Sequence, residues 1–458
     1  MTNQELRIYA PTAIVGYGYK EESFQRAMER EPHVIAADGG STDPGPNYLG
    51  MGKAFVGRDA AKRDLTGMLI AGHDRKAPVI VGTSGTAGGD AHLQWTREIV
   101  EEIARENGLH FKIALIHSEQ DKGYVSDKLG EGRVKPLWPM GPLSSETVDR
   151  SSNIVAMAGV EPYIEALGNG AQVILCGRSD DAAIFASMPI KEEFDPALGW
   201  VAGKLLECGA ACTVPRQKYG SEGLIVSVRE DHVLVEAPHP GLSCTPLSVG
   251  TFFLHENETP LYHQEPSGVL DLSGLQFEAV DDQRVKITGA RFVPSEQYTV
   301  RLEGVEFLGY RSICVATTRD PVLVECIDGY IESIEAITRQ RVEGLGIEED
   351  QYKLVYRVIG KDSVMGSREP VKELKTHELG VILEAVAPTQ DTANEIVGIA
   401  RQAAKNGHYE GKLCDEGCFT FPYSPSDIPV GPVYRFNMLH TVEVDDPLEM
   451  FPIEYVEV

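Results

Sequence analysis

Five times between Ala13 and Asp181 a short apolar, β-branched run ends in a polar, mostly glycine-containing loop. Ala13-Ile14-Val15 precedes Gly16-Tyr17-Gly18 and a helix-like stretch from Glu21 to Glu31, and Val34 to Ala37 precedes Asp38-Gly39-Gly40-Ser41 and a helical stretch from Val56 to His73. Pro78 to Val81 precedes Gly82-Thr83-Ser84-Gly85 and a helical stretch from His92 to Gly108. Phe111 to Ile116 ends in His117-Ser118-Glu119, and a helical stretch from Val155 to Asn169 leads to Val173 to Cys176 and Gly177-Arg178-Ser179-Asp180-Asp181. This alternation predicts an α/β domain: a parallel sheet with helices on both faces, Rossmann-like, followed by a packed α+β region.

In such a sheet the loops after the strands' carboxyl ends share one edge, where ligands bind. That edge gathers Asp38, His117, Asp180 and Asp181 as candidate catalytic residues. Gly16, Gly18, Gly39, Gly40, Ser41, Thr83, Ser84, Gly85 and Arg178 are the candidate substrate-binding residues, since glycine amides, hydroxyls and a guanidinium can hold an anion. Each has a plainer reading. One of Asp180 and Asp181 can cap the following helix, but both cannot be the same cap, and Asp38 suits a turn for its own geometry. His117 can bond a neighbouring loop. Gly16-x-Gly18 opens like a dinucleotide fingerprint, but Glu21 replaces its third glycine, so no nucleotide cofactor is expected. Ser84 sits in an incomplete nucleophile elbow, with Thr86 where a glycine belongs.

The periodicity changes after Glu207-Cys208-Gly209-Ala210. Leu224 to Val228 and Val233 to Glu236 read as a hairpin, Pro321 to Arg341 as a long helix, Gly380 to Val386 as a strand and Thr389 to Asn406 as a helix. The expected organisation is an α/β domain over 1–215 bearing the site, an α+β domain over 216–410, and a Pro-rich arm with a terminal strand over 411–458. Arg301, Arg311 and Arg435 are further candidates to clamp a carboxylate.

Composition narrows the partners. With 42 Lys and Arg against 69 Asp and Glu, the net charge is −27, which disfavours nucleic acid and anionic membranes. The start lacks a signal peptide and no apolar run approaches the ~20 residues of a membrane span, so a cytoplasmic chain is expected. The 8 cysteines suit reduced, packed thiols, although Cys208/Cys212 and Cys414/Cys418 have a spacing that zinc could use.

Several blocks carry a family resemblance: Glu161-Pro162-Tyr163-Ile164-Glu165-Ala166-Leu167 leading to Gly177-Arg178-Ser179-Asp180-Asp181, Leu205 to Ala210, and His255-Glu256-Asn257 before Pro260. Glu265 to Asp271, Phe421 to Asp427 and Tyr434-Arg435-Phe436-Asn437 continue it in the same order. In these the chain resembles the acyclic terpene utilisation protein AtuA family. The resemblance implies a role in catabolism of branched acyclic terpenoids or other carboxylic acids, and it brings no catalytic residues with it.

The expected function is therefore a lyase, a hydro-lyase acting on a small branched or multi-carboxylate acid or its CoA thioester. Asp180 or Asp181 would be the base, and His117 with Asp38 the acid or the ligands of a divalent cation such as Mg²⁺. The alternatives are a non-catalytic acyl-binding or accessory subunit and a hydrolase using Ser84. A homo-oligomer is expected.

Overall fold

The computed structural model describes residues 5–217, 222–254, 259–412 and 418–458. The chain divides into two compact units, Met1–Glu306 with Phe436–Val458, and Phe307–Arg435. Position 215, where the periodicity changes, falls inside the first unit.

The first unit is mixed α/β, built on a ten-stranded mixed sheet. Its strands are β1 (Leu6–Ala10), β2 (Val34–Asp38), β3 (Val79–Gly82), β4 (Lys112–Ile116), β5 (Val173–Cys176), β6 (Leu224–Val228), β7 (Val233–Glu236), β8 (Gln276–Ala279), β9 (Arg284–Thr288) and β10 (Ile453–Glu457). They lie in the order β8-β9-β7-β6-β1-β2-β3-β5-β4-β10. The run β1-β2-β3-β5-β4 is parallel, and antiparallel strands close it on both sides.

Alternation along the parallel strands sends side chains to two cores. Val34 and Ala36 join one with Ile184, Trp200 and Leu205, while Ile35 and Ala37 join the other with Leu65, Met68 and Ile99. Helices Arg58–Arg75 and Asp90–Asn107 thus cover one face, and Ala183–Lys191 and Pro196–Leu206 the other. The consequence lies between β3 and β5. These neighbours feed helices on opposite faces, so the switch point falls between them, where sheets of this kind bind ligands in a crevice outside the strands' carboxyl ends.

Three readings of the sequence need correction. The first strand is Leu6–Ala10, and of Ala13-Ile14-Val15 only Ile14 makes a single bridge, to Asp38. The stretch Val155 to Asn169 divides into a strand, Ser151–Ala156, and a helix, Glu161–Gly168, with Pro162 in its first turn. The long helix from Pro321 breaks at Cys326 into Pro321–Glu325 and Ile327–Glu343. The hairpin at β6 and β7 has the expected antiparallel register.

In the second unit, Lys353–Ile359 pairs antiparallel with Leu379–Ala387, which pairs with residues 310–318 of the strand Tyr298–Thr318. Ile334, Leu383, Ile396 and Ala400 fill its core beneath helices Ile327–Glu343 and Gln390–Asn406. The Pro-rich tail is not wholly an arm: Asp427–Val444 is a strand despite Pro429 and Pro432, and β10 forms an edge on β4. Among the described residues, no helix is long and apolar enough to cross a membrane. Cys176, Cys212, Cys244, Cys314 and Cys418 are buried thiols. Cys414 and the His255-Glu256-Asn257 block lie outside the described residues.

Candidate functional site

Three of the crevice loops hold charges that water hardly reaches. Asp38 ends β2 and is only 4% exposed; the Gly39 N–H donates to its Oδ1 at 2.9 Å and Gly40 adds a second backbone N–H. Arg178, also 4% exposed, follows β5. Its Nε donates to Glu303 Oε2 at 2.9 Å, while Nη1 donates to Thr83 Oγ1 at 3.2 Å and the Ser179 carbonyl at 2.8 Å. Glu303 also takes Thr42 Oγ1 at 3.0 Å and pairs with Arg301 Nη2 at 2.9 Å. Burial alone would raise the Glu303 carboxyl, but the two arginines hold it below its ordinary value.

Asp181 completes the group, with Oδ1 at 3.7 Å from Arg178 Nη1. Its side chain keeps 44% of its surface open to solvent, yet protein surrounds it. Desolvation pushes its carboxyl up to about 6 against the pull of Arg178, with Asp180 adding repulsion. Burial and Asp181 together drive Asp38 well above its ordinary value against Arg178. Both carboxyls of the pair are thus raised, Asp181 to about 6 and Asp38 well above its ordinary range.

The backbone beneath this group is strained. Thr83 has φ of 27° and Thr86 of 96°, values that β-branched residues rarely adopt and that cluster at functional sites. Gly88 brings the β3 loop against the β5 loop: a Cβ there would stand 2.3 Å from the Arg178 nitrogen, at a φ of +70°. Backbone cannot yield as a side-chain tip can. Gly88→Ala is expected to reduce unfolding free energy by about 3 kcal/mol in urea melts. A loss under ~1 kcal/mol would show that the two loops can part.

The other expected residues divide. Gly39 and Gly40 join this group through Asp38, and Thr83 through Arg178. Ser41 Oγ accepts from the Asp43 N–H at 3.1 Å, closing a local turn. Gly85 turns the loop against His92, and Ser84 is fully buried, its hydroxyl without a partner among the described residues. Asp180 Oδ1 accepts the Ala182 and Ala183 N–H groups at 2.9 and 3.0 Å, which makes it a helix-start cap. The amides of Gly16 and Gly18 do hold a carboxylate, but it is Asp64's own, at 2.7 and 2.9 Å. His117 meets Asp90 at 2.9 Å and Glu454 at 3.8 Å and is raised first by the Asp90 hydrogen bond; among the described residues it has no contact with Asp38 or Asp181.

Sequence reading missed Glu303 and a second cluster around Lys204. Lys204 Nζ lies 3.0 Å from Glu207, and the fields of Asp180, Asp181 and Glu265 reach this pair. Its signal was a lone Lys in the apolar run Trp200-Val201-Ala202-Gly203-Lys204-Leu205-Leu206. Among the described residues, no three His, Cys, Asp or Glu are grouped to hold a metal ion. A cation at Asp38 and His117 therefore lacks a donor set, and no step is routed through one. A cavity of about 180 Å³ lined by Leu69, Phe111, Val173 and Met188 lies at the strands' other, amino ends and has no carboxylate in its wall.

Among known proteins, residues 61–416 match the family described as acyclic terpene utilisation family protein AtuA. No curated protein and no solved structure matches the chain.

Proposed function

We propose, from the premise that the chain belongs to the acyclic terpene utilisation family AtuA, that it is a catabolic hydro-lyase acting on a small branched or multi-carboxylate acid or its CoA thioester. The observation that carries this reading is Asp181, a half-open carboxylate raised to about 6, beside the buried Asp38 and Arg178. A carboxyl titrating there is both a competent base and a competent acid near neutral pH. Asp181 takes the α-proton of the substrate and returns it to the departing hydroxyl. The C–H and C–O bonds break, the C=C bond forms and water leaves, so atoms and charge balance. Arg178, fixed by Glu303, sets the orientation of Asp181. We read the five parallel strands and the β3/β5 crevice as Rossmann-like in the sense that matters here, a ligand edge at a switch point, and we take the protein to be a cytoplasmic homo-oligomer.

The test is a proton NMR survey of branched dicarboxylic acids, hydroxy acids and their CoA thioesters for gain or loss of water. For any substrate found, kcat/KM is expected to rise with pH through about 6, because Asp181 must lose its proton to act. A profile flat from pH 5 to 8 contradicts the assignment. A serine nucleophile needs a base at its hydroxyl and a path for the acyl group, and the buried Ser84 has neither among the described residues.

A further inference from the structure

Arg178 is poorly placed to bind a substrate anion, because Glu303, Thr83 and the Ser179 carbonyl already take its N–H groups. We propose that Lys204 and His263 form the pocket that holds the substrate carboxylate beside Asp181. The inference rests on reading Asp181 as the base and adds the binding group that reading lacks.

Lys204 lies one turn after Trp200 on helix Pro196–Leu206, so both share a face. A three-stranded antiparallel sheet packs there, formed by Tyr262–Glu265, Gly268–Asp271 and Arg291–Pro294. Its register puts His263 opposite Leu270 and Leu270 opposite Phe292, whose ring stacks on Trp200 at 6.4 Å. His263, and Glu265 two residues on, therefore face the helix that carries Lys204.

His263 is 5% exposed, yet among the described residues neither ring nitrogen has a hydrogen-bond partner, and the buried Trp200 indole N–H has none there either. Such orphans are costly unless a bound group satisfies them. Burial and Lys204 lower His263 to about 4, so at neutral pH it is uncharged, with one N–H to donate. Lys204 has three N–H groups, and Glu207 takes one of them.

Five ionisable groups surround Lys204: Asp180, Asp181, Glu207, Glu265 and His263. Burial raises Glu207 to about 7 and puts Glu265 well above its ordinary range. Below pH 7 Glu207 is largely protonated, which leaves the Lys204 charge for a ligand. Above it, the Glu207 charge competes with an incoming anion.

Titration calorimetry of the full chain with succinate as probe decides this. Succinate is expected to bind at pH 6.5, about tenfold more weakly at pH 8, and at least tenfold more weakly to Lys204→Met at pH 6.5. Lys204→Arg keeps binding within threefold, and His263→Leu binds about fivefold more weakly. Wild-type protein that does not bind succinate, or Lys204→Met that binds it within twofold of wild type, overturns the pocket. Should Lys204→Met fail to fold, unchanged binding by His263→Leu does so. The base role of Asp181 is judged apart, by turnover: binding through Lys204 without any turnover keeps the pocket and discards the reaction.

Discussion

Asp181→Asn is expected to lower turnover at least a hundredfold, whereas Asp180→Asn lowers it by less than tenfold, in paired assays on one substrate. The two side chains are neighbours in sequence but have different work. Asp180 spends Oδ1 on the Ala182 and Ala183 N–H groups, and an asparagine oxygen caps a helix start about as well. Asp181 is half-open to solvent and titrates near 6, so removing its ionisable oxygen removes the proton acceptor of the proposed reaction. General-base catalysis contributes typically 10²–10⁴-fold, which sets the expected loss. Equal losses in both variants would mean that the pair acts through the helix start instead of through a proton.

Arg178→Met is expected to destabilise the fold by about 3–5 kcal/mol in urea unfolding, the largest effect on stability of any change at the site. The guanidinium is the hub of the crevice, joining Glu303 to Thr83 and the Ser179 carbonyl and lying close to Asp181. Without it, Glu303 keeps Arg301 and Thr42 but loses its buried partner, and Asp38 loses the cation that pulls its carboxyl down. Methionine matches much of the volume, so packing contributes little of the loss. A change below ~1 kcal/mol would show that the network is wet and adaptable, and would remove the fixed frame on which Asp181 depends.

Much of the frame was legible because the pattern was local. The apolar runs at Val34, Val79, Lys112 and Val173 and the loops after them lie where alternation puts them, and that brings Asp38, Thr83, Arg178 and Asp181 together. Failures came where two periods overlapped. Val155, Val160, Ile164 and Leu167 fit helical spacing, yet Gly159 separates a strand from a helix that starts at Glu161 with Pro162 behind it. The pairing of charges was not legible, because it is set by contacts distant in sequence. Glu303 lies 125 residues from Arg178, and nothing local in Arg301-Leu302-Glu303 marks it as that residue's partner. Gly16 and Gly18 teach the converse: their amides bind a carboxylate as the motif suggests, but the chain supplies it through Asp64.

The most direct measurement is the titration of the Asp181 carboxyl carbon by carbon-13 NMR, in wild type and in Asp180→Asn. The expected midpoint is near 6, and Asp180→Asn moves it downward, because a neutral amide no longer repels the Asp181 carboxylate. A midpoint near the ordinary aspartate value of about 4, unchanged by Asp180→Asn, would contradict the raised carboxyl on which the proposed chemistry stands.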